Sequence, residues 1–138
     1  MAATLAEIRD AIQTTLSQTG LRVYDTAPDK PEFPCAVVIP ISAEFDQAFG
    51  RGVDRYEFDI DVMTSGVSDR AGQNALDAFV GGYGTQSIRA LVFSSPTLGL
   101  TGTASRVEGF TEYGAFLAPE GARYFRAVLR LLVLTSGI

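Results

Sequence analysis

The sequence predicts an α+β fold, with a mostly antiparallel sheet of four or more strands and two main helices packed on it. Apolar residues recur at helical spacing in two segments, residues 5–18 and 69–80. Apolar and acidic residues alternate over residues 56–62, which is the period of a strand with one buried face. The length of 138 residues, without an internal repeat, predicts a single domain over residues 1–138.

The first helix is predicted over about residues 5–18. Thr4 and Glu7 have the spacing of a capping box, in which each side chain accepts from the backbone N–H of the other residue. Gly20 supplies a stop signal after the last apolar position. The apolar residues that should face the sheet are Leu5, Ile8, Ile12 and Leu16.

Two strands are expected in the segment that follows this helix. Residues 21–24 are consistent with a short strand, and Pro28, Pro31 and Pro34 then predict an extended loop, because proline restricts φ. Residues 35–39 are apolar and predict a buried strand, which either ends at Pro40 or continues over 41–49 after a bulge.

The clearest strand is predicted over residues 53–63. Tyr56, Phe58, Ile60 and Val62 share one face, which should belong to the core. The opposite face carries three carboxylates, about 6.5–7 Å apart along the strand, from Glu57, Asp59 and Asp61.

Two further helices are predicted in the middle of the chain. The first covers residues 69–80 and should turn Ala71, Ala75, Leu76 and Phe79 inward. A glycine-rich break at residues 81–84 separates it from a short helix over 87–93.

The remaining residues have the pattern of a hairpin. One strand is expected over 103–113, a loop over 114–121 and a long last strand over 122–135. The apolar face of the last strand carries Phe125, Ala127, Leu129, Leu131 and Val133. Its other face also becomes apolar, through Val128, Leu132 and Leu134, which predicts burial on both sides by a helix or by a neighbouring subunit.

Composition excludes several function classes. Histidine is absent and Cys35 is the single cysteine, so a Ser-His-Asp or Cys-His arrangement cannot form, and one thiol cannot build a zinc site. We therefore expect no enzymatic activity and no cofactor. The formal net charge of −5 argues against tight binding of a nucleic-acid backbone but allows DNA to pass without binding.

No segment approaches the roughly 20 apolar residues that a membrane-spanning helix requires. The first residues show neither a basic region nor an apolar stretch typical of a signal peptide. We expect the chain to stay in the cytoplasm where it is made, without a membrane partner.

The order of these features resembles the tail terminator proteins of siphophages, also called minor tail or tail-completion proteins of the neck. The resemblance spans nearly the whole chain and rests on motifs in a fixed order. They are residues 28–35 (PDKPEFPC), 56–62 (YEFDIDV), 87–91 (SIRAL), 96–99 (PTLG), 106–108 (RVE), 113–114 (YG) and 121–126 (GARYFR).

This resemblance implies a structural virion protein that forms a ring, typically of six subunits, at the head-proximal end of the tail tube. The ring stops polymerisation of the tube and offers the surface that joins the filled head. Its partners are then other copies of itself, the tail tube protein, the head-tail connector or stopper protein, and DNA that passes through the lumen without specific binding.

Two other functions remain open. The first is a head-completion or stopper connector protein of the neck, which shares the ring and the lumen but binds the portal side. The second belongs to another class: a small ligand- or metal-binding module, or an enzyme, that uses the acidic strand face.

Several roles are possible for the acidic face of Glu57, Asp59 and Asp61. It could hold a divalent metal, since carboxylates suit Mg²⁺ or Ca²⁺. It could line a lumen that repels DNA. It could bind arginines of the next subunit, or it could be a solvated strand face with local ion pairs.

Three arginines of the last strand are candidates for contacts between subunits. Arg123, Arg126 and Arg130 lie on a strand otherwise rich in apolar residues, where a guanidinium can bind a carboxylate with two hydrogen bonds. The alternative is a pair between strands of one subunit. The loops at Pro28, Pro31 and Pro34 and at Pro119 are candidate docking loops for neck or tube proteins.

Overall fold

A computed structural model of the chain describes residues 3–24, 32–45, 52–66, 69–117, 121 and 123–136. It has five strands in one sheet and three helices, which confirms the predicted α+β class. The helices are α1 (Leu5–Leu16), α2 (Asp69–Val80) and α3 (Ile88–Ser94). The strands are β1 (Arg22–Tyr24), β2 (Cys35–Glu44), β3 (Val53–Ser65), β4 (Thr103–Leu117) and β5 (Arg123–Ser136).

Helix α1 begins with the predicted capping box. The Thr4 hydroxyl accepts from the Glu7 backbone N–H at 3.2 Å, and the Glu7 carboxylate accepts from the Thr4 N–H at 3.1 Å. These bonds lower the pKa of Glu7 and satisfy two backbone donors at the helix start. The helix is followed by a 3₁₀ turn over Ser17–Thr19, which ends at Gly20 with φ of 88°.

The sheet has the strand order β1-β2-β3-β5-β4. β1 pairs in parallel with β2, and every other neighbouring pair is antiparallel. β3 and β5 form the centre of the sheet, with a continuous register from Val53 opposite Ser136 to Ser65 opposite Tyr124. The two longest antiparallel ladders therefore join β5 to β3 and to β4.

The core lies between the three helices and one face of the sheet. It contains the predicted inward residues of β3 and β5, and Phe58, Ile60, Val62, Ala127 and Leu131 are fully buried. The helices add apolar side chains to the same cluster, among them Ile8, Ile12, Leu76, Phe79, Ile88 and Val92. The opposite side of the sheet, which these helices do not cover, is called the open face below.

Helix α2 turns Gly72 toward the sheet in place of the predicted Ala71. Ala71, expected to point inward, is exposed, and Gly72 is buried against the sheet instead. The absence of a side chain lets the helix approach β3, where the Thr64 hydroxyl donates to the Gly72 carbonyl oxygen at 2.8 Å.

The first four residues of the predicted loop over 114–121 belong to a strand instead, and residues 118–120 lie outside the described residues. Residues 114–117 continue β4, because Gly114–Leu117 pair with Arg126–Arg123 of β5. This pairing keeps the backbone extended despite the glycine. Strand β2 continues past Pro40 through a bulge to Glu44, as one of the two sequence alternatives predicts. None of the helices in the described ranges is long and apolar enough to cross a membrane.

Candidate functional site

The open face places the three acidic residues of β3 together, as the alternation predicts. Phe58, Ile60 and Val62 point into the core at 0% exposure. Glu57 and Asp61 therefore point to the opposite side of the sheet. The side chains of Glu57, Asp59 and Asp61 keep only 18%, 24% and 14% of their exposure.

Two arginines of β5 bind these carboxylates within the same chain. The Nε of Arg126 donates to Oδ1 of Asp61 at 2.7 Å. The Nε of Arg130 donates to Oδ1 of Asp59 at 2.9 Å, and its Nη1 donates to Oε2 of Glu57 at 3.1 Å. The register explains the contact between Arg130 and Asp59, because these two residues lie directly opposite each other.

A third arginine completes the set from β3 itself. Arg55 lies two positions before Glu57 on the same face, and its Nη2 is 2.8 Å from Oε1 of Glu57. Three carboxylates and three guanidinium groups thus form ion pairs along β3 and between β3 and β5, and their formal charges cancel. We call these six residues the charged ladder: Arg55, Glu57, Asp59, Asp61, Arg126 and Arg130.

Burial and pairing shift the pKa of Asp61 in opposite directions. Desolvation raises the pKa of Asp61 and outweighs the hydrogen bond from Arg126, which lowers it. The same hydrogen bond raises the pKa of Arg126. The guanidinium therefore stays protonated, and Asp61 is the member of the pair whose ionisation is made less favourable by the site. Such a pair contributes less to stability than its short distance suggests, because desolvation offsets part of the attraction.

The pKa of Arg130 is raised chiefly by its hydrogen bond to Asp59. Arg130 is the more exposed of the two arginines, with 43% of its side-chain surface accessible compared with 27% for Arg126. Arg130 binds both Glu57 and Asp59, and its positive charge offsets the repulsion between these two carboxylates on the same strand face.

An aromatic cluster that the sequence pattern does not reveal covers one end of the ladder. The ring centroid of Tyr124 lies 5.7 Å from that of Phe33 and 5.9 Å from that of Phe116, both in stacked arrangements. The guanidinium carbon of Arg126 is 5.4 Å from the Phe116 ring centroid. Arg126 is thus held between an aromatic face and the carboxylate of Asp61.

Arg123, the third arginine singled out in the sequence, lies apart from the ladder. It is the first residue of β5, and its guanidinium carbon is 5.5 Å from the centroid of the Phe125 ring. Its backbone carbonyl accepts from the Gly66 N–H at 3.1 Å, which ties the start of β5 to the end of β3.

The chemistry available on this face is limited by the pairing. Each of the three carboxylates already accepts a charged hydrogen bond from an arginine. Within the described ranges, no three His, Cys, Asp or Glu side chains are grouped so that they could hold a metal ion. Burial raises the pKa of the Cys35 thiol to about 11, so this cysteine is a weak nucleophile at neutral pH.

The open face is also partly apolar along β5. Val128 is 5% exposed and Leu132 is 7% exposed, although the described helices all lie on the other side of the sheet. Leu134 remains 38% exposed and lines a shallow pocket with Leu132, Ala104 and Arg106. The predicted burial of both faces of β5 is therefore present for Val128 and Leu132, although none of the described helices lies over them.

Of the proline loops, the structure describes only Pro34. This residue is exposed just before β2, and its carbonyl oxygen accepts from the Arg22 N–H at 3.4 Å. Nearby, Arg22 forms an ion pair with Glu32. Pro28, Pro31 and Pro119 lie outside the described residues.

Comparison with known proteins places these features in a family. The family model described as Tail completion protein gp17 matches residues 3–81, which is more than half of the 138 residues. The chain belongs to this family of bacteriophage tail completion proteins. No curated protein matches the chain.

The family match confirms the resemblance to phage tail completion proteins inferred from the order of the motifs. It covers the elements from α1 to α2, including the carboxylates of β3. The arginines of β5 that bind these carboxylates lie beyond the matched residues. Membership of the family establishes a structural role in completing the phage tail.

Proposed function

We propose that this chain is the subunit of a ring, composed of six copies, at the head-proximal end of the phage tail tube. The observation that supports this proposal is the match of residues 3–81 to a tail completion family. In this proposal the ring stops tube polymerisation and provides the surface that joins the filled head. The chain then resides in the neck of the virion, and in the host cytoplasm while particles assemble.

The proposed mechanism is steric capping. Identical subunits associate head to tail, and a head-to-tail contact closes into a ring when its rotation divides a full turn. One side of the ring binds the last subunits of the tail tube. The other side differs from a tube subunit, so no further tube subunit can add, and the connector or stopper protein binds there instead.

In the proposed ring, DNA passes through the lumen without specific binding. The formal net charge of −5 disfavours neutralisation of DNA phosphates, which nucleic-acid binding requires. The charged ladder adds little to the repulsion of DNA, because its three carboxylates are bound by three arginines. We therefore assign the ladder to the cohesion of β3 and β5, and a role in the lumen or between subunits stays a prediction.

We also propose that the protein has no catalytic activity. Without histidine, a general base would have to come from a carboxylate. The most clustered carboxylates of the described chain, those of the ladder, are engaged by arginine donors.

The proline loops around Pro34 and Pro119 are proposed contact segments for the tube and the connector.

The proposal is tested by electron microscopy of particles from a phage that lacks this gene. Loss of a terminator predicts overlong or irregular tails that lie apart from filled heads. Supplying the wild-type gene from a plasmid should restore tails of uniform length joined to heads, which serves as the control for effects on neighbouring genes.

Two other outcomes would replace the proposal. Tails of normal length beside leaking or empty heads would assign the protein to the head side, as a stopper or connector. Intact infectious particles would remove the structural role and favour a ligand-binding module or an enzyme.

A further inference from the structure

Strand β4 forms an outer edge of the sheet. Its 15 residues pair only with β5 among the described residues, so no described strand lies along its other side. The register shifts between Val107 and Gly109, and Thr103–Val107 is the regular stretch before this bulge. At about 3.4 Å per residue, this stretch offers an edge about 17 Å long. An edge of this kind can accept an added strand from another chain.

A groove flanks this edge on the side of the helices. Helix α3 packs against β4, and the Ser105 hydroxyl donates to the Pro96 carbonyl oxygen at 2.8 Å, which holds the segment after α3 beside the strand. The groove has a volume of about 410 Å³, and the Phe93 ring at its border is 78% exposed. Its lining residues are Arg89, Phe93, Pro96, Ser105, Arg106 and Val107. The groove therefore offers an apolar wall to a side chain that enters beside β4.

A second, shallow pocket flanks the same edge on the open face. It has a volume of about 320 Å³, and Leu132 and Leu134 form its apolar wall. Ser105 and Arg106 line both the groove and this pocket, so the two lie on either side of one stretch of backbone. Successive side chains of a strand point to opposite sides of the sheet. A strand added along Thr103–Val107 would therefore place alternate side chains in the groove and in the pocket.

The charge around this edge is positive, although the formal net charge of the chain is −5. Among the described residues that line the groove and the pocket, the charged ones are Arg89 and Arg106. The side chain of Arg106 is 71% exposed and lies 3.7 Å from Glu108. The Arg89 guanidinium contacts neutral groups, since it donates to the Gly82 carbonyl oxygen at 3.3 Å and its carbon lies 5.3 Å from the Tyr83 ring centroid. Both guanidinium groups can therefore bind a carboxylate of a partner.

Charge also disfavours a second copy of β4 at this edge. Two copies of Thr103–Val107 in symmetric antiparallel pairing would carry their Arg106 side chains on the same face of the joint sheet, diagonally opposite each other. Long side chains at diagonal positions are within reach, and like charges there repel. An acidic segment of a different protein has the complementary charge.

We infer that Thr103–Val107 accepts an extended segment of another tail or neck protein, which adds to the edge of β4 as a further strand. The segment carries apolar side chains on both of its faces, for the groove beside Phe93 and the pocket beside Leu134, and a carboxylate that binds Arg106 or Arg89. Main-chain hydrogen bonds to β4 provide the attachment, and the two pockets select the sequence. The inference rests on the proposed function and identifies one docking surface of the subunit.

Photo-cross-linking in assembled tails tests this surface. Phe93 is replaced by p-benzoylphenylalanine in a plasmid copy of the gene, which is supplied to the phage that lacks it, and the purified tails are irradiated. We expect a covalent adduct with another virion protein, and mass spectrometry should locate the cross-link in a segment that contains apolar and acidic residues. The same replacement at Leu134, on the other side of the edge, should reach the same segment.

The matched control carries the photoreactive group at Phe45. This ring is also exposed, at 64%, but it follows β2, which β3 and β5 separate from β4. It should give no adduct with the segment that Phe93 and Leu134 reach.

Binding of the cross-linked segment to the purified full chain gives an independent measurement. A fluorescent synthetic peptide of that segment is titrated with each variant and followed by fluorescence anisotropy. Arg106→Glu should weaken binding by roughly three- to tenfold at low salt, because attraction becomes repulsion, whereas Arg106→Lys keeps the charge and should bind within about twofold of the wild type. Arg70→Glu makes the same charge change at an exposed position outside the groove and the pocket, and it should bind as the wild type does. Circular dichroism confirms that each variant is folded.

The results distinguish the docking surface from the function. Adducts of the Phe93 and Leu134 positions with a second copy of this chain, or tails that contain these variants without any adduct, would overturn the docking surface. Equal affinity of Arg106→Glu and the wild type for the peptide would also overturn it. None of these results changes the tail phenotype of the phage that lacks the gene, on which the proposed function depends. If that phenotype overturns the terminator role, an adduct with a head-side protein would still support the docking surface.

Discussion

Gly72 is a position at which helix α2 packs tightly against the sheet. A methyl group on its Cα would lie 2.4 Å from the Ser65 carbonyl oxygen and 2.6 Å from Cδ2 of Phe125. The oxygen belongs to the backbone of β3, and Phe125 is only 1% exposed in the core. In Gly72→Ala, the helix must therefore move away from the sheet to admit the methyl group.

Two effects oppose each other in Gly72→Ala. Within a helix, alanine is more favourable than glycine by about 1 kcal/mol. Overpacking a core costs about 1–3 kcal/mol. Displacement of α2 also weakens the hydrogen bond from Thr64 to the Gly72 carbonyl, which contributes about 1 kcal/mol. We expect a net decrease of about 1–3 kcal/mol in the free energy of unfolding.

Urea denaturation followed by circular dichroism measures this change. Gly109→Ala is the matched control, because position 109 is exposed on β4 and an added Cβ meets nothing within 4 Å. It should change the free energy of unfolding by less than about 0.5 kcal/mol. A Gly72→Ala protein as stable as the wild type, or more stable, would refute the close approach of α2 to Ser65.

Three further perturbations address the helix cap, the core and the charged ladder. Thr4→Ala removes the capping hydroxyl of α1 and should lower the free energy of unfolding by about 1 kcal/mol; an unchanged urea midpoint would show that the cap does not form in solution. Leu76→Ala empties a fully buried position of α2 and should cost roughly 2–5 kcal/mol in the same assay, and a cost below that of Thr4→Ala would contradict the packing. Burial raises the pKa of Asp61, so the folded protein holds that proton more tightly than the unfolded chain. The contribution of Asp61 to stability is therefore greatest below its unfolded pKa and is lost as pH rises through its raised folded pKa; Asp61→Asn should remove that slope, and superimposable pH profiles of melting temperature would argue against it.

Local pattern was sufficient for the elements of this fold. The alternation around Phe58 identified which side of β3 is buried, and the capping box at Thr4 located the start of α1. Pattern was insufficient where a neighbouring strand decides the outcome. Residues 114–117 have a glycine typical of a loop, yet they stay extended because β5 supplies a hydrogen-bonding partner.

Only the β3 part of the charged ladder could be predicted, because its pairing with β5 also depends on a neighbouring strand. Strand alternation placed Asp59 and Asp61 on one face, but their pairing with Arg130 and Arg126 depends on β5 lying beside β3 in one register. That adjacency is a long-range property that no local spacing encodes. Arg55 could have been found from the sequence, since it lies two positions before Glu57 on the same face.

The aromatic cluster lay beyond sequence reasoning altogether. Phe33 precedes β2, Phe116 is the last residue but one of β4 and Tyr124 is the second residue of β5, so their rings meet only after the sheet has formed. Each residue alone is an ordinary aromatic side chain in a strand or loop. Their mutual stacking, and the contact of the Phe116 ring with Arg126, follow from topology, not from composition.

The adjacency of β3 and β5 has a consequence for the order of folding. Residues 66–122 separate the two strands, so the ribosome completes β3 well before its central partner exists. At a synthesis rate of roughly 5–20 residues per second, the delay amounts to several seconds. During that time β3 is a long strand with a free side, which is a hazard for association between nascent chains. Asp59 and Asp61 then carry negative charge without their arginine partners, because Arg126 and Arg130 have not yet been made. Repulsion between these charges disfavours association of nascent copies through β3.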